Sequence, residues 1–254
     1  MKGIFLRLRR AALLASTLSL AACGVLHEVF HADTAGCAGP PDQALGMQLD
    51  LVREQMQAGK YHAALAYLDT LDPRLPAAQL MRARASRQTG DTGAAGVAYQ
   101  ALLGSCLRAY GEQGLGLIAA DRRDIAAAID HLKKARELAP VDPEIRNDYG
   151  FALLAGGFVD AALREFRTAV ELAALDANPR DGTGAPVAAD RALAARNLVL
   201  ALFIAQRADE AQAAARQYAL EPEEAAALAR RAANYHPLTH PIIPSVETSP
   251  HAPT

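Results

Sequence analysis

The chain has no tryptophan, and its aromatic residues amount to only 5 %. It also lacks an excess of positive charge: 26 basic residues stand against 28 acidic ones. That balance argues against nucleic acid as a partner. Cysteines number three, at Cys23, Cys37 and Cys106, a spacing that does not resemble a zinc site. No Gly-rich phosphate loop is present, because Gly156-Gly157 falls at a helix–helix turn, and the few serines have no nucleophile-elbow context. Beyond a short N-terminal run, no segment approaches the apolar length that a membrane helix needs. No cofactor, metal or small-molecule substrate is therefore expected, and no catalytic residue. What the chain has instead is alanine, a small residue of high helix propensity that lets helices cross closely.

Residues 109–142 and 143–176 align at an offset of 34. Leu115-Gly116 corresponds to Tyr149-Gly150, Ala128 to Ala162, Leu132 to Phe166, Ala135 to Ala169, and Glu137-Leu138 to Glu171-Leu172. A 34-residue period with small residues at fixed places resembles the tetratricopeptide (TPR) repeat, a pair of antiparallel helices A and B. Working outward, Gly90-Asp91 opens helix B of a repeat at about 76–108, with Ala83, Ala95 and Tyr99 in register. Gly59-Lys60-Tyr61 marks an earlier one at about 45–75, whose helix A would run over residues 45–58. The matched pair gives repeats at 109–142 and 143–173. A fifth spans 192–221, its helix A over 192–205 and its turn at Arg207-Ala208-Asp209. Between the fourth and fifth repeats Ala162 and Ala211 lie 15 residues beyond the period. The surplus contains Asn178-Pro179-Arg180-Asp181-Gly182, so 174–188 is expected to be a surface loop. Pro222, Glu223 and Glu224 suit the start of a last helix, and Arg230 and Arg231 its end. It would cap the array over 222–234. The tail, 235–254, is Pro-rich and is expected to be disordered. The expected fold is all-α: a right-handed superhelix of about five helix-turn-helix repeats with a C-terminal capping helix.

The N-terminus reads differently. Lys2, Arg7, Arg9 and Arg10 precede a short apolar run over residues 11–22, the pattern of a signal peptide. The run ends Leu20-Ala21-Ala22-Cys23-Gly24, which resembles the bacterial lipobox. That resemblance implies cleavage before Cys23, acylation of Cys23, and a lipidated tether over residues 23–44. Several acyl chains would anchor the protein durably, each buried CH₂ contributing about 0.8 kcal/mol. Gly24, rather than Asp, follows the cysteine, which implies the periplasmic face of an outer membrane. Taking four basic residues from 26 leaves 22 against 28 acidic, a net charge of −6 for the mature chain. Cys37 and Cys106 would then be the two remaining thiols in an oxidising compartment, where a disulfide between them is expected.

His27-Glu28-Val29-Phe30-His31 matches H-E-x-x-H, which on a helix can bind zinc. It begins four residues after Cys23, with no packed domain on its N-terminal side and no third ligand near it in sequence. It is read as part of the tether. Asp121, Asp124 and Asp130 are likewise read as a solvated turn and face.

Function then falls on the concave surface of the repeats. Helix A positions that line a TPR groove are Gln113, Leu117 and Asp121 in the third repeat. They are Glu144, Asn147, Phe151 and Leu154 in the fourth, and Arg196, Leu200, Phe203 and Ile204 in the fifth. The apolar members could grip a partner helix or an extended peptide, and the polar ones could bond its backbone. Phe151, Leu200 and Phe203 could equally pack internally.

The fourth and fifth repeats carry Asn147-Asp148-Tyr149-Gly150-Phe151-Ala152-Leu153 with Phe166-Arg167-Thr168-Ala169, then Arg196-Asn197-Leu198-Val199-Leu200-Ala201-Leu202 with Asp209-Glu210-Ala211. With the intervening loop and the lipobox, this resembles the TadD family, the TPR lipoproteins of Flp/Tad pilus assembly. The resemblance implies a pilotin-like assembly factor whose protein partner is a secretin or another component of the pilus machine, and it brings no enzymatic residues. A second reading from the same residues is an adaptor lipoprotein that binds a periplasmic protease or cell-wall hydrolase.

Overall fold

The computed structural model describes residues 43–175 and 187–238. Cys23, Cys37, the His27–His31 motif and residues 239–254 lie outside them. Among the described residues there are eleven α-helices and no strand. They pair as α1 (Gln43–Gln57) with α2 (Tyr61–Leu68), α3 (Pro76–Gln88) with α4 (Thr92–Leu102), α5 (Arg108–Asp121) with α6 (Ile125–Leu138), α7 (Pro143–Ala155) with α8 (Val159–Leu175), and α9 (Val187–Ile204) with α10 (Ala208–Gln217). The last helix, α11 (Pro222–Ala233), stands alone.

Each pair turns on one left-handed residue: Gly59, Gly90, Arg123, Gly157 and Gln206, with φ between 58° and 84°. The backbone bonds around them repeat. In the third pair Asp124 N–H reaches Ala119 O at 2.9 Å and Arg123 N–H reaches Ala120 O at 2.9 Å. In the fourth, Phe158 N–H reaches Leu153 O and Gly157 N–H reaches Leu154 O, both at 2.9 Å. These are the two bonds of a Schellman motif, which ends one helix and aims the next. Asp91 and Asp124 then cap the second helix, accepting from Ala94 N–H at 2.9 Å and Ala127 N–H at 3.1 Å. Pro76, Pro143 and Pro222 each occupy a first-turn position, where the missing N–H costs nothing.

The residues that match at the 34-residue offset explain themselves in packing. A Cβ on Gly116 would lie 2.6 Å from Leu132 Cγ, and one on Gly150 would lie 2.8 Å from Phe166 Cε1. Leu132 and Phe166 are almost fully buried. Each glycine thus admits the large side chain of the second helix, and Ala128 and Ala162, both buried, permit the same close crossing. The core runs as a chain of clusters, the largest joining α6 through α10 around Phe166, Leu163, Val199 and Leu202. First helices of successive pairs touch one another, α1 with α3, α3 with α5, α5 with α7, and α7 with α9. Among the described residues no two successive second helices do so. The first helices therefore line the inside of the curve. This is a TPR helical solenoid.

Three boundaries differ from those expected. The stretch expected to loop over 174–188 is helical at both ends: α8 runs on through Leu175 and α9 already begins at Val187. Ala174-Leu175 and Val187-Ala188-Ala189 continue the apolar and small-residue pattern of their neighbours; residues 176–186 lie outside the described residues. Helix α11 packs mainly on α9 and scarcely on α10. It takes the place of a sixth first helix and has no side chain that is fully buried. The tail, expected to detach at 235, stays attached through Leu238, whose N–H bonds Ala155 O at 2.8 Å.

Candidate binding groove

The inner face has a polar centre between two apolar recesses. The centre is a ladder of contacts that run from one first helix to another. Arg87 on α3 reaches Asp121 on α5 at 3.4 Å, and Arg84 on α3 reaches Glu144 on α7 at 3.3 Å. Gln113 Nε2 on α5 donates to Asp148 Oδ2 on α7 at 2.8 Å. Asn197 Nδ2 on α9 donates to Asn147 Oδ1 on α7 at 2.8 Å. Arg196 on α9 pairs with Glu224 on α11. Tyr110 joins from the side: its hydroxyl donates to Asp142 Oδ2 at 2.9 Å, while Asp142 Oδ1 caps α7 through Ile145 N–H at 3.0 Å. Arg84 lies over the Tyr110 ring at 5.6 Å, a cation–π contact.

The electrostatics concentrate on Asp148. Burial pushes its carboxyl up to about 7, and the neighbouring Glu144 adds to the effect. The Gln113 amide and the charges of Arg87 and Arg84 oppose it. Burial also raises the Tyr110 hydroxyl, and the adjacent Asp142 carboxylate adds to that.

The two recesses differ. One, of about 210 Å³, lies between α1, α3 and the start of α5, lined by Leu49, Met56, Leu80, Met81 and Tyr110 with Arg53 and Arg84 at its rim. The other, of about 260 Å³, lies between α7, α9 and the end of α11, lined by Phe151, Leu154, Leu200 and Ile204 with Tyr235 and Leu238.

Of the residues picked out in sequence, the structure gathers Phe151, Leu154, Leu200 and Ile204 at the second recess. Phe151 is 45 % exposed, whereas Leu154 and Leu200 are each 3 % exposed and contribute mainly to the core. Phe203 is half-buried against the same core, and Leu117 is half-buried on α5. Gln113 and Asn147 are buried and already hydrogen-bonded to the next first helix. Asp121, Glu144 and Arg196 are accessible but held in ion pairs. Sequence reasoning missed Arg84, Arg87, Tyr110, Asp148 and Asn197 as groove residues. Repeat numbering could have found Arg84 and Arg87, since both lie on a first helix one repeat earlier. The whole apolar recess at α1 and α3 was missed, because residues 45–58 match the repeat pattern poorly.

Cys106 lies in the turn between α4 and α5 and is disulfide-bonded; the cysteine expected to pair with it, Cys37, lies outside the described residues. Among the described residues no group of three His, Cys, Asp or Glu is placed to hold a metal ion. No helix among them is long and apolar enough to cross a membrane.

No family model matches the chain. A TPR repeat-containing protein of Pseudomonas aeruginosa is 39 % identical over an alignment of 149 residues that covers 54 % of this chain and 60 % of that protein. The chain thus spans about three fifths of the length of the curated relative it matches. Among solved structures, MamA of AMB-1 aligns with a TM-score of 0.48 at 19 % identity, over 72 % of this chain and 98 % of that one. A second crystal form of MamA gives 0.45 at 19 %, over 72 % and 96 %. Repeat geometry and the curated relative together support a TPR protein.

Proposed function

We propose that this chain is a non-enzymatic lipoprotein of the outer membrane, held at its periplasmic face by acylated Cys23. In this reading it serves as a pilotin-like assembly factor for a Flp/Tad pilus or a related secretion system. The observation that carries the binding role is the inner face itself, where apolar recesses flank a polar ladder at the spacing of successive first helices. An extended or helical segment lying along that face would place apolar side chains in the recesses and its backbone against Arg84, Glu144 and Arg196. The lipobox at Leu20–Cys23 and the resemblance of the fourth and fifth repeats to the TadD family support the location and the machine. With Cys37 as its partner, the disulfide at Cys106 would fasten the lipid tether beside the first recess and present that end of the groove to the membrane.

The test is Cys23→Ala in the native host. The expected result is loss of membrane fractionation together with loss of surface pili, and normal piliation with the protein released would reject the reading. Co-purification from detergent extracts then separates partners. Secretin subunits support the assembly role, whereas a protease or cell-wall hydrolase in their place supports the adaptor.

A further inference from the structure

The chain does not leave the repeat array where its last helix ends. After α11 it turns back across the inner face. Tyr235 donates its hydroxyl to Leu154 O, which already accepts from Gly157 N–H, and Leu238 N–H bonds Ala155 O at 2.8 Å, giving the last carbonyl of α7 a partner. Pro237 sits against the left-handed Gly157, where a Cβ would meet the proline Cβ at 3.3 Å. Tyr235, His236 and Leu238 are themselves one wall of the second recess, facing Phe151 and Ile204. The described chain therefore ends at the mouth of an apolar recess that its own final residues help to build.

We propose that the next residues, Thr239-His240-Pro241-Ile242-Ile243-Pro244, occupy that recess, so that the C-terminal half of the groove is filled by the chain's own tail. The composition of the chain beyond Leu238 and the room in the recess both favour this occupant. Sixteen residues remain, and their first strongly apolar pair, Ile242-Ile243, lies four and five positions beyond Leu238. At no more than about 3.3–3.6 Å per residue, that pair stays within roughly 13–18 Å of Leu238, and Leu238 lines the same recess as Phe151. A recess of 260 Å³ falls just below the range of about 300–1,000 Å³ typical of small-ligand pockets, and it suits one or two aliphatic side chains. Pro241 and Pro244 bracket the isoleucines and restrict the unbound chain, which lowers the ordering cost of docking. So short a tether gives an effective concentration in the millimolar range, which lets even weak contacts hold. Phe151, 45 % exposed in the described structure, is the residue such a segment would cover. An external partner would then have to displace the tail from this end while the recess at α1 and α3 stayed open.

The absence of tryptophan makes the test direct. Phe151→Trp in the mature full-length chain places its one tryptophan at the recess, excited apart from the tyrosines. We expect its emission to shift to the red, and its quenching by acrylamide to rise, when the chain is cut after Leu238. The same change is expected for Ile242→Asp with Ile243→Asp in the uncut chain, which keeps the length and removes only the apolar pair. Equal emission and quenching in all three proteins would overturn the proposal. So would a signal that reverts to the exposed form on dilution, because the occupant would then be the tail of a second copy. Nothing in this experiment depends on lipidation or on pili, so its failure leaves the assembly-factor reading untouched.

Discussion

Asn197 on α9 donates to Asn147 on α7 at 2.8 Å, joining two first helices across 50 residues of sequence and the 176–186 segment. Asn147 is only 6 % exposed, so its amide depends on that partner. This bond holds register where the 34-residue period fails. Replacing Asn197 with Ala is expected to lower stability by about 1–3 kcal/mol, the cost of stranding the buried Asn147 amide. Asn147→Ala should cost less, since the amide it strands belongs to Asn197, which is half-buried and within reach of water. Chemical denaturation of both variants checks the order. Equal stability of Asn197→Ala and the parent chain would show that the bond contributes nothing.

The turns give a prediction of opposite sign. Arg123 and Gln206 adopt φ of 62° and 58°, a region in which a side chain is strained. Both are solvent-facing at the positions that Gly59, Gly90 and Gly157 hold in the other pairs. Arg123→Gly and Gln206→Gly should each stabilise the chain by up to about 1 kcal/mol, less the extra entropy glycine brings to the unfolded state. Gly157→Ala should destabilise it, both through the left-handed backbone and through the contact with Pro237. Melting temperatures of the three variants decide it, and a fall for both glycine substitutions would show that the turns carry no relievable strain.

Two helical glycines separate packing from propensity. A Cβ on Gly114 would lie 2.1 Å from the Tyr99 ring, whereas one on Gly96 would meet nothing within 4 Å. Gly114→Ala should destabilise by about 1–3 kcal/mol through overpacking. Gly96→Ala should stabilise by up to about 1 kcal/mol, because alanine is the better helix former. Equilibrium unfolding in urea reads both, and like signs would mean that Tyr99 moves aside freely.

The parts of the fold that were legible in the sequence are those built on local contacts. Gly116 with Leu132 and Gly150 with Phe166 lie within single repeats, so the same small and large residues recur at a fixed offset. The turn at Arg123 could not be recognised as the equivalent of Gly59 and Gly90 by composition, because there the backbone, not a glycine, sets the conformation. The groove was harder. Gln113 and Asn147 occupy the expected positions but are bonded to Asp148 and Asn197, and a repeat pattern does not report what lies on the next first helix. Leu154 is buried partly because the tail returns over α7, and no periodicity announces a segment that folds back.

Asp148 makes the stability of the array depend on pH. Its carboxyl is pushed from an ordinary value of 3.8 up to about 7 by burial and by Glu144. The folded chain therefore binds this proton more tightly than the unfolded chain does. The stabilisation is full below about pH 4 and is lost as pH rises through about 7, because over that window folding requires a proton that the unfolded carboxyl has already released. Asn in this position keeps an acceptor for Gln113 and removes the titration. Asp148→Asn should thus leave stability near the parent value at pH 4 and exceed it by about 1–3 kcal/mol at pH 8. Every other ionisable group is common to the two proteins, so the difference between the two curves, not either curve alone, isolates Asp148. Denaturation midpoints at pH 4, 6 and 8 supply that difference. A constant offset across the range would mean that Asp148 is ionised in the fold, held by Arg84 and Arg87, and that the ladder is an ion-pair network throughout.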